Sequence, residues 1–315
     1  MTMPRRRPTE IRDRRVGARD SRPSFEFRIS NFEFPVSNFK FPISNSRART
    51  PFDALAETYD ETFTRSLIGR AQRDAVWREL DRAFRPGQKV LEINCGTGVD
   101  AVHLASRGVE VLACDSSPRM IEVARRRLAS PGPALRASVE FEVLATEEIG
   151  TLQAPVSPPQ FDGVLSNFAG LNCVEDLPRV ARDLARLLRP GAPAVLCFFG
   201  PLCGWEILWY LAHGNPTKAF RRLRPGGDLA ELAEGATVRV RYPGVRAITR
   251  IFAPYFALKR WKGVGVAVPP TYLEPLARRF PKAVRALAGV DRWLGRCALA
   301  RSMADHILLE FERKD

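Results

Sequence analysis

Between Gln88 and Phe199, five short apolar runs alternate with stretches whose apolar residues recur at helical spacing. No other feature of the chain narrows its fold as much. Gln88–Asn94, Val109–Asp115, Val139–Leu144, Phe161–Ser166 and Pro193–Phe199 read as strands, and Val99–Arg107, Pro118–Leu128 and Leu177–Leu188 as helices. Strands separated by helices imply an α/β fold, a parallel sheet covered on both faces. Right-handed crossovers then bring the strand C-termini to one edge, where ligands bind near the topological switch point. Upstream, Phe52, Leu55, Ala56 and Tyr59 have helical spacing, and a second amphipathic stretch covers 66–84. Downstream, the strand runs Phe256–Val268 and Asp305–Phe311 would complete the sheet, the last of them antiparallel.

Three regions follow. Residues 1–50 form a tail: 1–24 are arginine- and proline-rich, and 25–45 repeat seven residues three times (FEFRISN, FEFPVSN, FKFPISN). An odd period moves equivalent residues to opposite faces of a strand, and Pro35 and Pro42 interrupt any ladder, so the tail reads as disordered and low in complexity. Residues 51–200 form the core, and 201–315 a cap with the last two strands. The net charge of +14 is uneven, at +7, −3 and +10 over these regions. The basic ends are compatible with an acidic substrate, nucleic acid or an anionic membrane surface, and equally with solvated helix faces. No apolar stretch of membrane-spanning length lacks a charge or a breaker, and no apolar segment follows the N-terminal arginines. A cytoplasmic protein, peripheral to the membrane at most, is expected. Cys95, Cys114, Cys173, Cys197, Cys203 and Cys297 include no C-x-x-C pair, so zinc and iron–sulfur spacings are absent, no metal is expected, and buried free thiols are the default.

The first strand ends in Glu92-Ile93-Asn94-Cys95-Gly96-Thr97-Gly98, and a helix opens at once. Glycines there permit positive φ and close backbone approach, and the helix start offers free N–H groups to an anion. The second strand ends in Cys114-Asp115, where a carboxylate can accept ribose hydroxyls. Dinucleotide enzymes share both features, so these two alone leave the cofactor open.

The next residues, Ser116-Ser117-Pro118-Arg119-Met120-Ile121-Glu122-Val123-Ala124-Arg125, narrow it. E-x-x-x-G-x-G followed by D-x-S-x-x-M-x-x-x-A-R resembles the class I S-adenosylmethionine-dependent methyltransferases, in particular the small-molecule branch with the ubiquinone and menaquinone enzymes. F-D-x-x-A-x-x-Y-D (Phe52 to Asp60) and F-D-G-V-L-S-N-F (Phe161 to Phe168) belong to the same pattern, so the resemblance runs from Phe52 to Phe199. It implies a Rossmann-like seven-stranded sheet with the last strand antiparallel and a helical cap in the C-terminal third. The cofactor implied is S-adenosylmethionine, leaving as S-adenosylhomocysteine.

The resemblance also assigns positions. Glu92 matches the acid near the methionine amino group, and Asn94, Cys95, Gly96, Thr97 and Gly98 form the turn under the cofactor. Asp115, with Ser116 beside it, matches the ribose-binding acid, and Met120 the apolar residue against adenine. Ala145, Thr146 and Glu147 match the loop along the adenine edge. Asn167 and Phe168 stand where the fourth strand meets the reacting methyl, and Tyr59 matches a residue that closes over the site. Two positions depart from the pattern: Asn94 replaces the usual first glycine, and Ala145 an aspartate that often bonds the adenine amino group.

The acceptor is less constrained. Base-amino methylases carry N/D-P-P-Y/F after the fourth strand, whereas this chain has Ser166-Asn167-Phe168-Ala169. Pro269-Pro270-Thr271-Tyr272 falls far downstream and reads as a turn and helix start. Of three histidines, His103 and His306 read as structural. His213, after the aromatic run Trp205, Trp209 and Tyr210, is the candidate general base. A small-molecule or lipid-like acceptor is the leading expectation. An RNA or protein methyltransferase using the basic C-terminal third is second, and a nucleotide-binding protein without transferase activity is third. The oligomeric state is open.

Overall fold

The computed structural model describes residues 50–129, 135, 137–152, 161–233 and 236–315. The basic tail and its seven-residue repeat, up to residue 49, lie outside the described residues.

A 3-10 turn, Pro51–Leu55, and a π-helical turn, Asp60–Thr64, lead into α1 (Leu67–Ala83). Ser66 starts α1 as N-cap, its hydroxyl accepting from the Gly69 N–H at 2.9 Å. Then come β1 (Lys89–Ile93), α2 (Val99–Ser106), β2 (Glu110–Asp115), α3 (Pro118–Arg127), β3 (Val139–Val143), β4 (Gly163–Ser166), α4 (Leu177–Leu187) and β5 (Pro193–Phe199). Of the two serines before Pro118, Ser117 caps α3, accepting from the Met120 N–H at 3.1 Å, and proline at the first helical position needs no N–H partner. The third segment opens with α5 (Gly204–Ala212) and α6 (Pro216–Ala219), continues with β6 (Asp228–Ala233) and β7 (Ala236–Val240), and adds α7 (Val245–Phe252). β8 (Phe256–Val264), α8 (Glu274–Arg279), α9 (Pro281–Leu294) and β9 (His306–Arg313) complete it.

The sheet order is β3-β2-β1-β4-β5-β9-β8. The first five strands are parallel, and β9 runs antiparallel between β5 and β8. This is the seven-stranded arrangement that the resemblance implied. Side-chain alternation fixes which face each strand covers: Leu91 and Ile93 enter one core and Val90 the other, and Ile307, Leu309 and Phe311 face one side while Leu308 faces the opposite one.

The cap carries the helices expected of it, α5 to α9, and a hairpin besides. β6 and β7 pair as an antiparallel hairpin, a sheet of two strands apart from the main one. β6 and β7 also pack on the Pro51–Leu55 turn. The alternation in Ala-Thr-Val-Arg-Val of β7 is a strand signal that the aromatic content of the segment obscured. Pro270 does precede a turn, Thr271–Leu273, and then α8. All six cysteines are free, and four are buried. Among the described residues, no helix is long and apolar enough to cross a membrane, and no group of three or more His, Cys, Asp or Glu is arranged to hold a metal ion.

Candidate functional site

At the C-terminal edge of the sheet, the chain leaves β1 through three residues with positive φ: Asn94 at 57°, Gly96 at 54° and Gly98 at 71°. A Cβ at Gly98 would lie 2.5 Å from Cζ of Phe141, so only glycine lets the turn lie this close to β3. Asn94 tolerates its left-handed backbone and uses its amide locally. Its Nδ2 donates to Thr146 Oγ1 at 2.7 Å, and its Oδ1 accepts from the Ser166 hydroxyl at 3.1 Å, so one side chain ties the loop after β3 and the end of β4 to the turn. Asp115, at the end of β2, accepts from the Gly96 N–H and from the Ser117 N–H, both at 2.9 Å. Burial raises its pKa, against the pull of those two N–H groups.

The other two non-glycine residues with positive φ among the described residues stand together after β4, Phe168 at 49° and Ala169 at 69°. Strain of this kind persists only where surrounding structure holds it, and it concentrates at functional sites. Asn167 does the holding: its Oδ1 accepts from the Phe168 N–H at 2.9 Å, and its Nδ2 donates to Asp100 Oδ2 at 2.8 Å.

Asp100, on the first turn of α2, is the centre of a buried network. It pairs with Arg73 of α1 at 2.7 Å and accepts from Trp77 Nε1 at 2.6 Å. Burial alone would raise its carboxyl, but Arg73 and the surrounding donors win and hold it below its ordinary range. Glu92 of β1 is 1 % exposed. Burial, reinforced by Asp100, pushes its carboxyl well above the ordinary value, with Arg73 opposing. Glu92 Oε2 and Arg73 Nε are both buried without a hydrogen-bond partner. The Arg73 guanidinium also lies over the rings of Phe168, at 4.7 Å, and Phe63, at 5.4 Å.

The segment before α1 crosses this edge. Asp60 accepts from the Thr97 hydroxyl at 2.8 Å and pairs with Arg127, and Asp53 accepts from the Ser117 hydroxyl at 2.5 Å. Tyr59 is half-buried, and burial lifts its phenol to about 12. Met120 and Thr146 are buried, whereas Ser116, Ala145 and Glu147 are partly exposed. Cys95 is buried, and its N–H donates to the Cys114 carbonyl at 3.0 Å.

A second group of residues adjoins Phe168. The His306 ring packs edge-on against Phe168 at 5.4 Å and stacks on Phe199 at 4.6 Å, where β9 begins beside the end of β5. Burial lowers the His306 pKa and keeps the ring neutral. Arg222 lies over Phe199 and Tyr242 at 5.0 and 5.5 Å. It is itself buried, pairing with Asp305 at 2.6 Å and Glu206 at 2.8 Å. Asp305 also accepts from Gln72 of α1 at 3.4 Å.

Of the residues that the sequence singled out, the turn, Asp115, Thr146, Asn167 and Phe168 come together through these bonds. His213 does not join them. It is exposed at the end of α5, its ring against Trp209 and its Nδ1 2.7 Å from the Trp209 carbonyl. His103 pairs with Asp81 at 2.8 Å and stacks on Trp77, a structural role. Sequence reasoning missed Arg73, Asp100, Arg222 and Asp305. A signal existed for the first pair: Arg73 and Trp77 stand one turn apart on α1, and Asp100 opens the helix after the turn.

Residues 90–191 match the family described as a methyltransferase domain. The chain is 36 % identical over 152 residues to demethylmenaquinone methyltransferase of Clavibacter sepedonicus, covering 47 % of this chain and 56 % of that protein. It is 30 % identical to demethylmenaquinone methyltransferase of Corynebacterium kroppenstedtii, over 53 % of this chain and 68 % of that protein. The chain thus spans little more than half the length of the first curated relatives it matches. Among solved structures, a SAM-dependent methyltransferase from Methanosarcina mazei shares the fold with a TM-score of 0.50 and 17 % identity, covering 75 % of this chain and 96 % of that one.

Proposed function

Because the chain belongs to the class I S-adenosylmethionine-dependent methyltransferases, we propose that it transfers the methyl group of S-adenosylmethionine to a planar, quinone-type acceptor and releases S-adenosylhomocysteine. One observation carries the cofactor assignment. Glu92 Oε2 and Arg73 Nε are buried and unpartnered on side chains of one network beside the glycine turn. A methionine headgroup has one ammonium and one carboxylate, and would satisfy both atoms. The residues present therefore fit the group.

In this reading, Asp115 keeps lone pairs for the ribose hydroxyls, because each oxygen accepts only one backbone N–H. Met120 packs against the adenine, and Ala145, Thr146 and Glu147 run along its edge. Ser116 flanks the ribose, and Asn94 through Gly98 supply the backbone beneath. Tyr59 closes over the site. When bound, the cofactor supplies a methyl already activated on a sulfonium. The protein's own task is alignment and the exclusion of water, and positioning can contribute about 7–11 kcal/mol.

Phe63, Phe168, His306, Phe199 and Tyr242 pack in succession, each ring against the next, and such a wall suits a flat acceptor. The demethylmenaquinone relatives name the acceptor class. The neutral His306 imidazole, rather than His213, then takes the proton from an acceptor hydroxyl. We assign the contact with the membrane surface to the cap. Leu208 and Leu229 there are 68 % and 60 % exposed, and Leu211, Phe220 and Leu223 are exposed between them, interspersed with Lys218 and Arg224. An apolar and basic surface of this kind favours anionic bilayers.

The test is incubation with methyl-labelled S-adenosylmethionine and a demethylated naphthoquinol. Label in the quinol is expected, and His306→Asn should lower kcat about a hundredfold with cofactor affinity kept. Label in added RNA or protein but none in the quinol would overturn the proposal.

A further inference from the structure

Away from the sheet edge, a cavity of about 490 Å³ opens between α1, the sheet strands β8 and β9 and the segment after α9. Val195, Trp261 and Leu308 supply its apolar lining. Five cationic side chains line it, Arg82, Arg260, Lys262, Arg296 and Arg301, against two carboxylates, Glu79 and Glu310.

The carboxylates are heavily shared. Glu79 has a side chain only 7 % exposed and meets Arg82 at 2.7 Å, Lys262 at 3.0 Å, Arg296 at 3.5 Å and Arg260 at 3.8 Å. Glu310 takes up Arg260, whose Nε donates to it at 2.7 Å. Arg82, Lys262 and Arg296 thus converge on one carboxylate. Arg301 pairs with no carboxylate among the described residues. Its guanidinium lies 3.8 Å from the centre of the Trp261 ring, one amine donates to the Trp261 carbonyl at 3.3 Å, and its Nε is buried without a partner.

Cations packed this closely repel one another, and a structural ion pair needs only one of them per carboxylate. The surplus is three positive charges around a concave space, with one unsatisfied guanidinium donor, Nε of Arg301. Planar guanidinium forks match the oxygens of phosphate and carboxylate bidentately, and a phosphate, with the larger charge, answers more of a surplus of several cations. We infer that this cavity is a second binding site, outside the candidate active site, for a phosphate- or diphosphate-bearing ligand, with Arg296 and Arg301 as its principal contacts and Glu79 as the carboxylate that competes with the ligand for the cations.

Inorganic diphosphate is the probe for the free anion, and phosphatidic acid in phosphatidylcholine vesicles the probe for a lipid headgroup. Binding is read by calorimetry and co-sedimentation on the full chain at fixed ionic strength. Diphosphate, the vesicles or both should bind, which identifies the source. Arg296→Ala, on a largely exposed side chain, should weaken binding about tenfold or more while S-adenosylmethionine affinity stays the same. Glu79→Gln removes the competing carboxylate and should tighten binding several-fold. A purely structural ion-pair cluster predicts no such gain. Binding of neither probe, or binding that both variants leave unchanged, would overturn the inference, and neither result bears on the methyltransferase reading.

Discussion

Arg73 and Arg222 are both buried arginines, at two different regions of the molecule, and their settings differ in an instructive way. Arg73 serves a compact region in which Glu92 lies within β1, Asp100 on the helix that follows it and Asn167 just after β4, and it keeps one donor, Nε, unpartnered. Arg222 is saturated. It pairs with Glu206 and Asp305, donates to the Asp305 carbonyl at 2.9 Å, and covers Phe199 and Tyr242. The first region has donors and acceptors left for a ligand. The second has spent its charges on joining the cap to β9 and α1. Two arginines of similar burial can thus be placed for different work, one for recognition in the proposed reading and one for assembly.

The sharpest way to break that contrast is Arg222→Met. It leaves Asp305 buried without its arginine and Glu206 with Arg221 alone, so unfolding free energy should fall by about 3–5 kcal/mol in denaturant melts. A loss below 1 kcal/mol would remove the assembly role. Asp115→Ala should weigh chiefly on the ligand, weakening S-adenosylmethionine binding by about 1.5–3 kcal/mol in calorimetry, with a smaller loss of stability from its two backbone hydrogen bonds.

Glu92 provides a pH test. Its folded carboxyl is raised by burial, so it stabilises the ligand-free fold below its unfolded pKa and loses that contribution as pH rises through the folded value. An ammonium placed beside it would favour the ionised form. Cofactor binding should therefore release a proton and tighten with pH, by up to about tenfold per unit, until Glu92 ionises unaided. Glu92→Gln should abolish the release, measured by calorimetry in buffers of different ionisation enthalpy. Glycine at position 94 carries the smallest expected effect. Asn94→Gly relieves the left-handed backbone but loses the bonds to Thr146 and Ser166, for a net cost of about 1 kcal/mol. Asn94→Ala should cost about 1–2 kcal/mol more, because it keeps the strain and loses the bonds.

The same contrast explains how much the sequence reveals. The parallel half is legible because each residue that matters stands next to a strand end: Glu92 within β1, Asp115 at the close of β2, Asn167 just after β4. Local periodicity places the strand, and the strand places the residue. Asn94 was recognisable as the unusual member of the turn, and its φ of 57° and two side-chain bonds explain how it serves there. The cap network is not local. Gln72, Glu206, Arg222 and Asp305 come from four separate elements, and no spacing links them. His306 shows the limit most clearly. Its position at the head of an apolar strand reads as structural, and only the register of β9 against β5 brings it beside Phe199 and Phe168. His213, marked by its aromatic neighbours, lies exposed against one of them.

The most direct test of the central claim is a calorimetric titration of the full chain with S-adenosylmethionine, S-adenosylhomocysteine and NAD. The account predicts one site for the first two ligands, weakened by Asp115→Ala, and no measurable binding of NAD. Preferential binding of NAD, or an S-adenosylmethionine affinity indifferent to Asp115, would contradict it.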